Sequence, residues 1–332
     1  MASPGKTNSL TDIEGLLIGQ AADMRVKTGV TVILPETRAV CAVDVRGGGP
    51  GTRETDALAA HTLVDAVDAV VLSGGSSYGL AAADGVAAAL GARGQGFSLV
   101  DLPGVPPSPV VPSAILYDLA NGGDKQWGDR PPYRQLGRDA LDMASKAVAL
   151  GKAGAGYGAR AGAHPGGTGT ASLVLPSGLA VAALVCVNSF GSVTLPGADD
   201  VYWSWPLEIE AEFGGARPPQ DWQMSPGDWG AAKVNPGARE NTTIALIATN
   251  ASLTPSQAQR LAIMAQDGLA RAIRPIHTPF DGDVVFALST AREPLGDTPE
   301  LTLAELGNAA ADTLARAVAR GVHTARSQED GA

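Results

Sequence analysis

The segment "LVLPSGLAVAALVCVNSFGSV", from Leu173 to Val193, sets two apolar runs on either side of Pro176-Ser177-Gly178. Two such runs joined by a short turn-forming triplet read as an antiparallel hairpin. That disfavours a simple doubly wound sheet, in which every strand hands over to a helix. Further β-rich runs, "GVTVILP", "AVCAVDV", "DAVVLSGG", "SAILYDL", "TTIALIATN" and "DVVFALST", alternate with helical patterns at Asp56 to Val67, Gly79 to Leu90, Arg134 to Leu150, Pro255 to Ile273 and Leu303 to Ala319. The fourth helix opens on Thr254-Pro255, an N-cap followed by a first-turn proline. The pattern is an α/β chain with part of its sheet antiparallel. No linker and no repeat period interrupt it, and the Pro- and Trp-rich stretch from Ala198 to Lys233 reads as a long surface excursion.

At 332 residues and 45% hydrophobic, the chain can bury a sizeable core. With 24 basic against 34 acidic residues, its formal charge of -10 argues against nucleic acid or an anionic membrane surface as partner, since both need clustered Lys and Arg. Cys41 and Cys186 lie in strand-like apolar contexts and read as small buried thiols rather than a disulfide or metal ligands. The N-terminal segment has no apolar core of a signal peptide, and no run approaches the roughly 20 apolar residues of a membrane span, so a cytoplasmic location is expected.

Two glycine-rich loops, "RGGGPGTRETD" and "LSGGSSYGLAAADG", each follow an apolar strand and lead into a helical pattern. Neither has the Lys-Ser/Thr ending of a P-loop or a dinucleotide fingerprint, so no phosphate cofactor is expected. They bring backbone close to a cleft, where the N–H groups of Gly74, Gly75 and Ser76 could serve a developing oxyanion or a substrate carboxylate. Ser76 and Ser77 lack the nucleophile-elbow spacing, and of the four histidines only His277 stands near acidic residues, which leaves a serine triad without support. Asp281-Gly282-Asp283 has no paired His or Cys to complete a metal site; alone it reads as a turn leading into a strand.

The segment "ENTTIALIATN" opens an apolar run on Asn241-Thr242-Thr243, which by itself is only a strand start after a turn. Its continuation "ASLTPSQAQRLAIMAQDGLARAIRPIHTPFDGDVVFAL", with "LSGGSSYGLAAADGV", "VPSAILYDL", "GAGYGARAG" and "ALVCVNSFGSV", resembles the L-aminopeptidase/D-esterase family, which includes the β-aminopeptidases and the nylon-oligomer hydrolases. The likeness runs from about Gly29 to Leu288. It implies an N-terminal-nucleophile-like four-layer α-β-β-α sandwich, a single catalytic domain over residues 1–332 that cuts itself between Asn241 and Thr242 into fragments 1–241 and 242–332, and a homo-oligomer of the processed units.

By the same resemblance, Thr242 becomes the nucleophile, acting on small peptides or linear amides through an acyl-Thr intermediate without cofactor or metal. A threonine with its own free α-amine as base needs no histidine, which suits this chain. Thr243 should point to the other face of the strand. The matching positions make Asn188 an oxyanion donor, against its reading as a strand-end turn residue. Asp281 and Asp283 match an acidic pair that holds the Thr242 hydroxyl and amine, and Tyr117 either lines the cleft or packs as a core aromatic. One departure stands out. Where nylon-oligomer hydrolases carry an active-site lysine after the "GAGYGA" run, this chain reads "GARAGAHPGG", with Ala163 or His164 at that place. An uncleaved small-molecule binding protein on the same fold is the alternative that this departure keeps open.

Overall fold

A computed structural model describes residues 2–100, 102–233 and 241–331. Among them the strands are, in chain order, β1 (Leu16–Asp23), β2 (Thr28–Pro35), β3 (Val40–Val45), β4 (Thr52–Arg53), β5 (Val70–Ser73), β6 (Ser113–Ile115), β7 (Arg160–Ala161), β8 (His164–Pro165), β9 (Gly167–Val174), β10 (Ala180–Asn188), β11 (Thr194–Leu195), β12 (Ala198–Tyr202), β13 (Thr242–Ala251) and β14 (Val284–Glu293). The α-helices are α1 (Ala81–Ala92), α2 (Tyr133–Asp142), α3 (Pro255–Ala272) and α4 (Pro299–Asp330).

Two five-stranded sheets carry the fold, one in the order β1-β2-β5-β6-β4 and the other β3-β14-β13-β10-β9. The hairpin expected at Pro176-Ser177-Gly178 joins β9 to β10 in antiparallel register, with Gly178 at φ 88°, where a side chain would strain the turn. The neighbours β5 and β6 are parallel and joined through α1; β13 and β14 are parallel and joined through α3. Each parallel pair therefore needs a helical crossover, whereas the remaining neighbours of the two sheets pair antiparallel.

Side-chain alternation along the strands separates three cores. On β13, Ile244, Leu246 and Ala248 join Leu184, Cys186, Phe286, Ile33 and Leu72 in a core between the sheets, while Ala245 and Ile247 turn the other way, onto Leu261 and Leu269 of α3 and Leu314 of α4. A third core packs Val30, Val32 and Val71 of the first sheet against Val86 of α1 and Leu136 of α2. The layers are thus α1 and α2, sheet, sheet, α3 and α4: the four-layer α-β-β-α sandwich. Both thiols are free and buried, and burial pushes Cys186 up to about 12.

Three helix boundaries differ from the sequence expectation. Asp56–Leu58 is a single 3-10 turn, after which His61, Thr62 and Leu63 are exposed and Val67 pairs with Ala39. Thr62 donates its hydroxyl to the carbonyls of Ala57 and Ala59, a local alternative to the helical ladder. Helix α2 ends at Asp142, short of the expected Leu150, because Ser145 pairs with Ile18 of β1. Helix α4 runs well past both of its expected ends. Thr254 caps α3 as its sequence indicates, accepting from the Gln257 N–H at 3.3 Å. The stretch from Ala198 to Lys233 carries β12, one 3-10 turn and otherwise irregular chain.

Candidate active site

Asn188 is the last residue of β10 and Thr242 the first of β13, and the antiparallel register sets them directly opposite each other. Two-residue alternation places both side chains on the same face as Cys186 and Ile244, toward the core between the sheets. Both are 2% exposed. Thr243 falls on the opposite face, and its N–H donates to Asp283 Oδ1 at 2.8 Å.

The Thr242 hydroxyl lies 2.5 Å from the Asn241 carbonyl oxygen, and the Gly282 N–H donates to the same oxygen at 3.0 Å. A carbonyl holding two donors is polarised toward an oxyanion. The Asn241 side chain is buried, with neither its amide nitrogen nor its oxygen paired among the described residues, a costly arrangement for a polar group. Gly282 has no room for a side chain: a Cβ there would stand 2.7 Å from the Gly49 carbonyl oxygen and 2.8 Å from Thr242 Oγ1. The Gly49 N–H in turn donates to the Asp281 carbonyl at 2.7 Å, so the first glycine-rich loop braces the segment that touches Thr242.

Asp281 and Asp283 are both 0% exposed. Asp281 accepts from the Phe190 N–H at 3.2 Å and from the Thr278 N–H and hydroxyl at 2.9 and 2.6 Å. Burial, and then the charge of Asp283, push the Asp281 carboxyl above its ordinary range. Asp283 Oδ2 faces His277, whose N–H stands at 3.2 Å and whose Nδ1 stands at 2.8 Å. His277, the histidine singled out by its acidic neighbours, therefore orients Asp283 instead of serving a serine. Among the described residues neither carboxylate is hydrogen-bonded to the Thr242 hydroxyl; the pair reaches this strand through the Thr243 N–H.

Asn188 accepts from the Arg160 N–H at 2.9 Å and donates Nδ2 to the Tyr117 carbonyl at 2.9 Å. A donor on one side and an acceptor on the other fix the orientation of its amide. Tyr117, Asp118, Arg160, Asn188 and Lys233 line a cavity of about 140 Å³. The backbone donors expected from the second glycine-rich loop are spent inside the chain: Gly74 N–H to Gly29, Gly75 N–H to Asp118 Oδ1 and Ser76 N–H to Leu116, at 2.9, 2.7 and 2.9 Å. Gly75, at φ 87° with Tyr133 against its α-carbon, and Ser76, at φ 52°, shape the loop and do not offer these groups to a ligand.

At the position of the missing lysine, Ala163 donates its N–H to Ala231, and His164 stands 3.2 Å from the Thr194 hydroxyl, with burial and then Arg326 holding its pKa down. Neither lines the cavity. Lys233 does, brought there from the end of the irregular stretch, as its N–H donates to the Phe190 carbonyl at 3.0 Å. Sequence reading passes over Lys233 and Arg160 because no local pattern marks a residue whose neighbours are distant in the chain. Among the described residues no cluster of His, Cys, Asp and Glu can hold a metal ion, and no helix is long and apolar enough to cross a membrane.

The model of peptidase family S58 matches residues 8–331. An "uncharacterized aminopeptidase" of Mycobacterium tuberculosis is 44% identical over 96% of this chain and 94% of its own length. A 6-aminohexanoate-oligomer endohydrolase of Agromyces sp. is 32% identical over 90% of this chain and 79% of its own. Among solved structures, a Burkholderia sp. β-aminopeptidase superposes with a TM-score of 0.69 at 21% identity, covering 97% of this chain and 88% of that one. An L-aminopeptidase/D-Ala-esterase/amidase of Ochrobactrum anthropi, described as a variant of the N-terminal-nucleophile hydrolase fold, gives 0.68 at 22%, covering 97% and 87%. These likenesses agree with the layered architecture, and the family match carries the chemistry: the chain belongs to peptidase family S58 and is a hydrolase of amide C–N bonds.

Proposed function

We propose that the chain cuts itself between Asn241 and Thr242 and that the freed Thr242 is the nucleophile of the resulting aminopeptidase or amidase. The observation that carries this reading is the Thr242 hydroxyl set against the Asn241 carbonyl while Gly282 polarises that carbonyl. Thr242 Oγ1 adds to the Asn241 carbon, the negative charge forms on an oxygen already facing the Gly282 N–H, and the C–N bond breaks as the amine takes a proton. The resulting ester is hydrolysed by water, leaving an Asn241 carboxylate and a Thr242 with a free α-amine. Fragments 1–241 and 242–332 form a single catalytic domain.

In turnover the α-amine, with an ordinary pKa of about 7.7–8.0, takes the hydroxyl proton as Oγ1 attacks the substrate amide. Asn188, directly across from Thr242 and with its amide orientation fixed, is the side chain expected to meet the new oxyanion through Nδ2. Asp283 steadies the strand start through Thr243, and the Asp281 carboxyl, raised by burial, carries a proton more readily than an exposed acid. Lys233 supplies a cation at the cavity in place of the lysine absent at Ala163 and His164. The substrates are small peptides, β-peptides or linear amide oligomers.

Hydrolysis of aminoacyl p-nitroanilides tests the reading. The purified wild-type protein is expected to turn over at least one of a panel of α- and β-aminoacyl anilides, and Thr242→Ala none. Full hydrolysis by Thr242→Ala would remove Thr242 from the mechanism.

A further inference from the structure

The cavity beside Asn188 continues into a second one of about 380 Å³, the two sharing Ala120, Asn121, Gly158 and Arg160. The larger falls within the roughly 300–1,000 Å³ of small-ligand pockets. Along this continuous cleft stand Lys27, Lys152, Arg160 and Lys233, a cationic lining in a chain whose formal charge is -10. We propose that this cleft binds the carboxylate that ends the leaving half of the substrate, with Arg160 and Lys27 as the groups that recognise it. The inference rests on the amide-hydrolase reading and names its substrate class: free-acid peptides and ω-amino-acid oligomers rather than amides or esters blocked at that end.

Geometry assigns the roles among the charges. Lys152 faces Glu329 at 3.3 Å, which neutralises both. Lys125, close by, is turned inward onto Val26 and Asn121. Asp118 has its two oxygens turned onto the Thr28 hydroxyl and the Gly75 N–H. Arg160 and Lys27 are exposed, and among the described residues neither belongs to an ion pair; the Arg160 guanidinium makes one bond, to the Ala163 carbonyl at 2.8 Å. The backbone N–H of Arg160 holds Asn188, so its guanidinium is anchored one residue away from the group that faces Thr242.

The chemistry decides which half of the substrate carries the anion. Attack by Thr242 leaves the acyl half on the enzyme and expels the amine. In a linear peptide or ω-amino-acid oligomer the free carboxyl lies beyond that leaving nitrogen. A guanidinium receives such a carboxylate through paired N–H donors.

Steady-state kinetics on matched pairs test the proposal: Ala-Ala, β-Ala-β-Ala and the 6-aminohexanoate dimer, each as the free acid and as the C-terminal carboxamide. The wild type is expected to favour the acids by about tenfold in kcat/KM at low ionic strength, with the gap narrowing at high salt as charges are screened. Arg160→Gln, which keeps the backbone bond to Asn188, and Lys27→Gln should each raise KM for the acids severalfold with little change in kcat, and raise KM for the carboxamides by a clearly smaller factor. Equal kcat/KM for acid and carboxamide, or variants that weaken both alike, would overturn the proposal and leave the hydrolase reading intact. If no member of any pair is hydrolysed while aminoacyl anilides are, the carboxylate proposal alone is overturned; if the anilides are not hydrolysed either, the hydrolase reading falls and the carboxylate site with it.

Discussion

Asp118 shows how far one side chain's chemistry is set by its surroundings. It is buried at the inner wall of the cleft, and burial raises its pKa to about 6 despite the hydrogen bonds from Thr28 and Gly75. The fold therefore favours the protonated carboxyl: the associated stability is complete below the unfolded value of about 3.9 and is lost as pH rises through about 6. Asp118→Asn can accept from the Gly75 N–H and donate to the Thr28 hydroxyl oxygen, and it removes the titration. Urea unfolding should show the variant gaining on the wild type by about 2 kcal/mol between pH 4 and pH 8; parallel curves would mean that Asp118 does not titrate in that window. At this scale the sequence was most informative where chemistry needs neighbours in the chain. Asn241-Thr242 and Asp281-Gly282-Asp283 stand out as short motifs, whereas the cleft residues Arg160 and Lys233 meet Asn188 only through tertiary structure.

At the scale of elements, the loop leading into β14 governs the strand start of β13. Gly282 reaches the Asn241 carbonyl only because its missing side chain lets it lie against both Gly49 and Thr242. Its backbone is not in the left-handed region, so alanine is conformationally acceptable there and the cost is one of space. Gly282→Ala should therefore fold yet move the N–H off the Asn241 carbonyl, slowing self-cleavage by about tenfold or more. A time course of fragment appearance after rapid expression measures this, and an unchanged rate would show that the Gly282 donor is idle. His277→Asn retains a side-chain donor toward Asp283, whereas His277→Ala leaves only the backbone N–H, so the alanine variant should lose turnover more steeply. Equal losses would mean that the Nδ1 contact to Asp283 is inert. The hairpin and α3 were legible because turn and cap signals are local. The segment from Asp56 to Val67 was not, because pairing of Val67 with Ala39 overrides a helical pattern.

The whole molecule is held across its layers by buried charge as well as by apolar packing. Arg316 of α4, 2% exposed, grips Glu212 of the irregular stretch with two bonds of 2.6 and 3.0 Å and donates to the Ser172 carbonyl of β9 at 2.9 Å. Arg316→Ala removes these bonds but leaves Glu212 with Arg320 at 3.4 Å and the Asn8 amide at 2.7 Å, so it should cost about 2–3 kcal/mol in urea unfolding; a loss below about 1 kcal/mol would show that the excursion is not anchored there. The four-layer arrangement could be inferred from residue patterns only as an α/β chain with an antiparallel hairpin. The pairing of sheets depends on which strands are neighbours, and β13 beside β10 is a contact between segments far apart in sequence. That same pairing sets Thr242 opposite Asn188. Intact-mass spectrometry of the freshly purified wild-type protein and of Thr242→Ala therefore distinguishes self-cleavage at Asn241-Thr242 from an intact chain. Two fragments are expected from the wild type, the smaller beginning at Thr242, and a single uncut chain from the variant; a wild type that stays whole, or is cut at any other bond, would remove Thr242 as the self-cleaving residue.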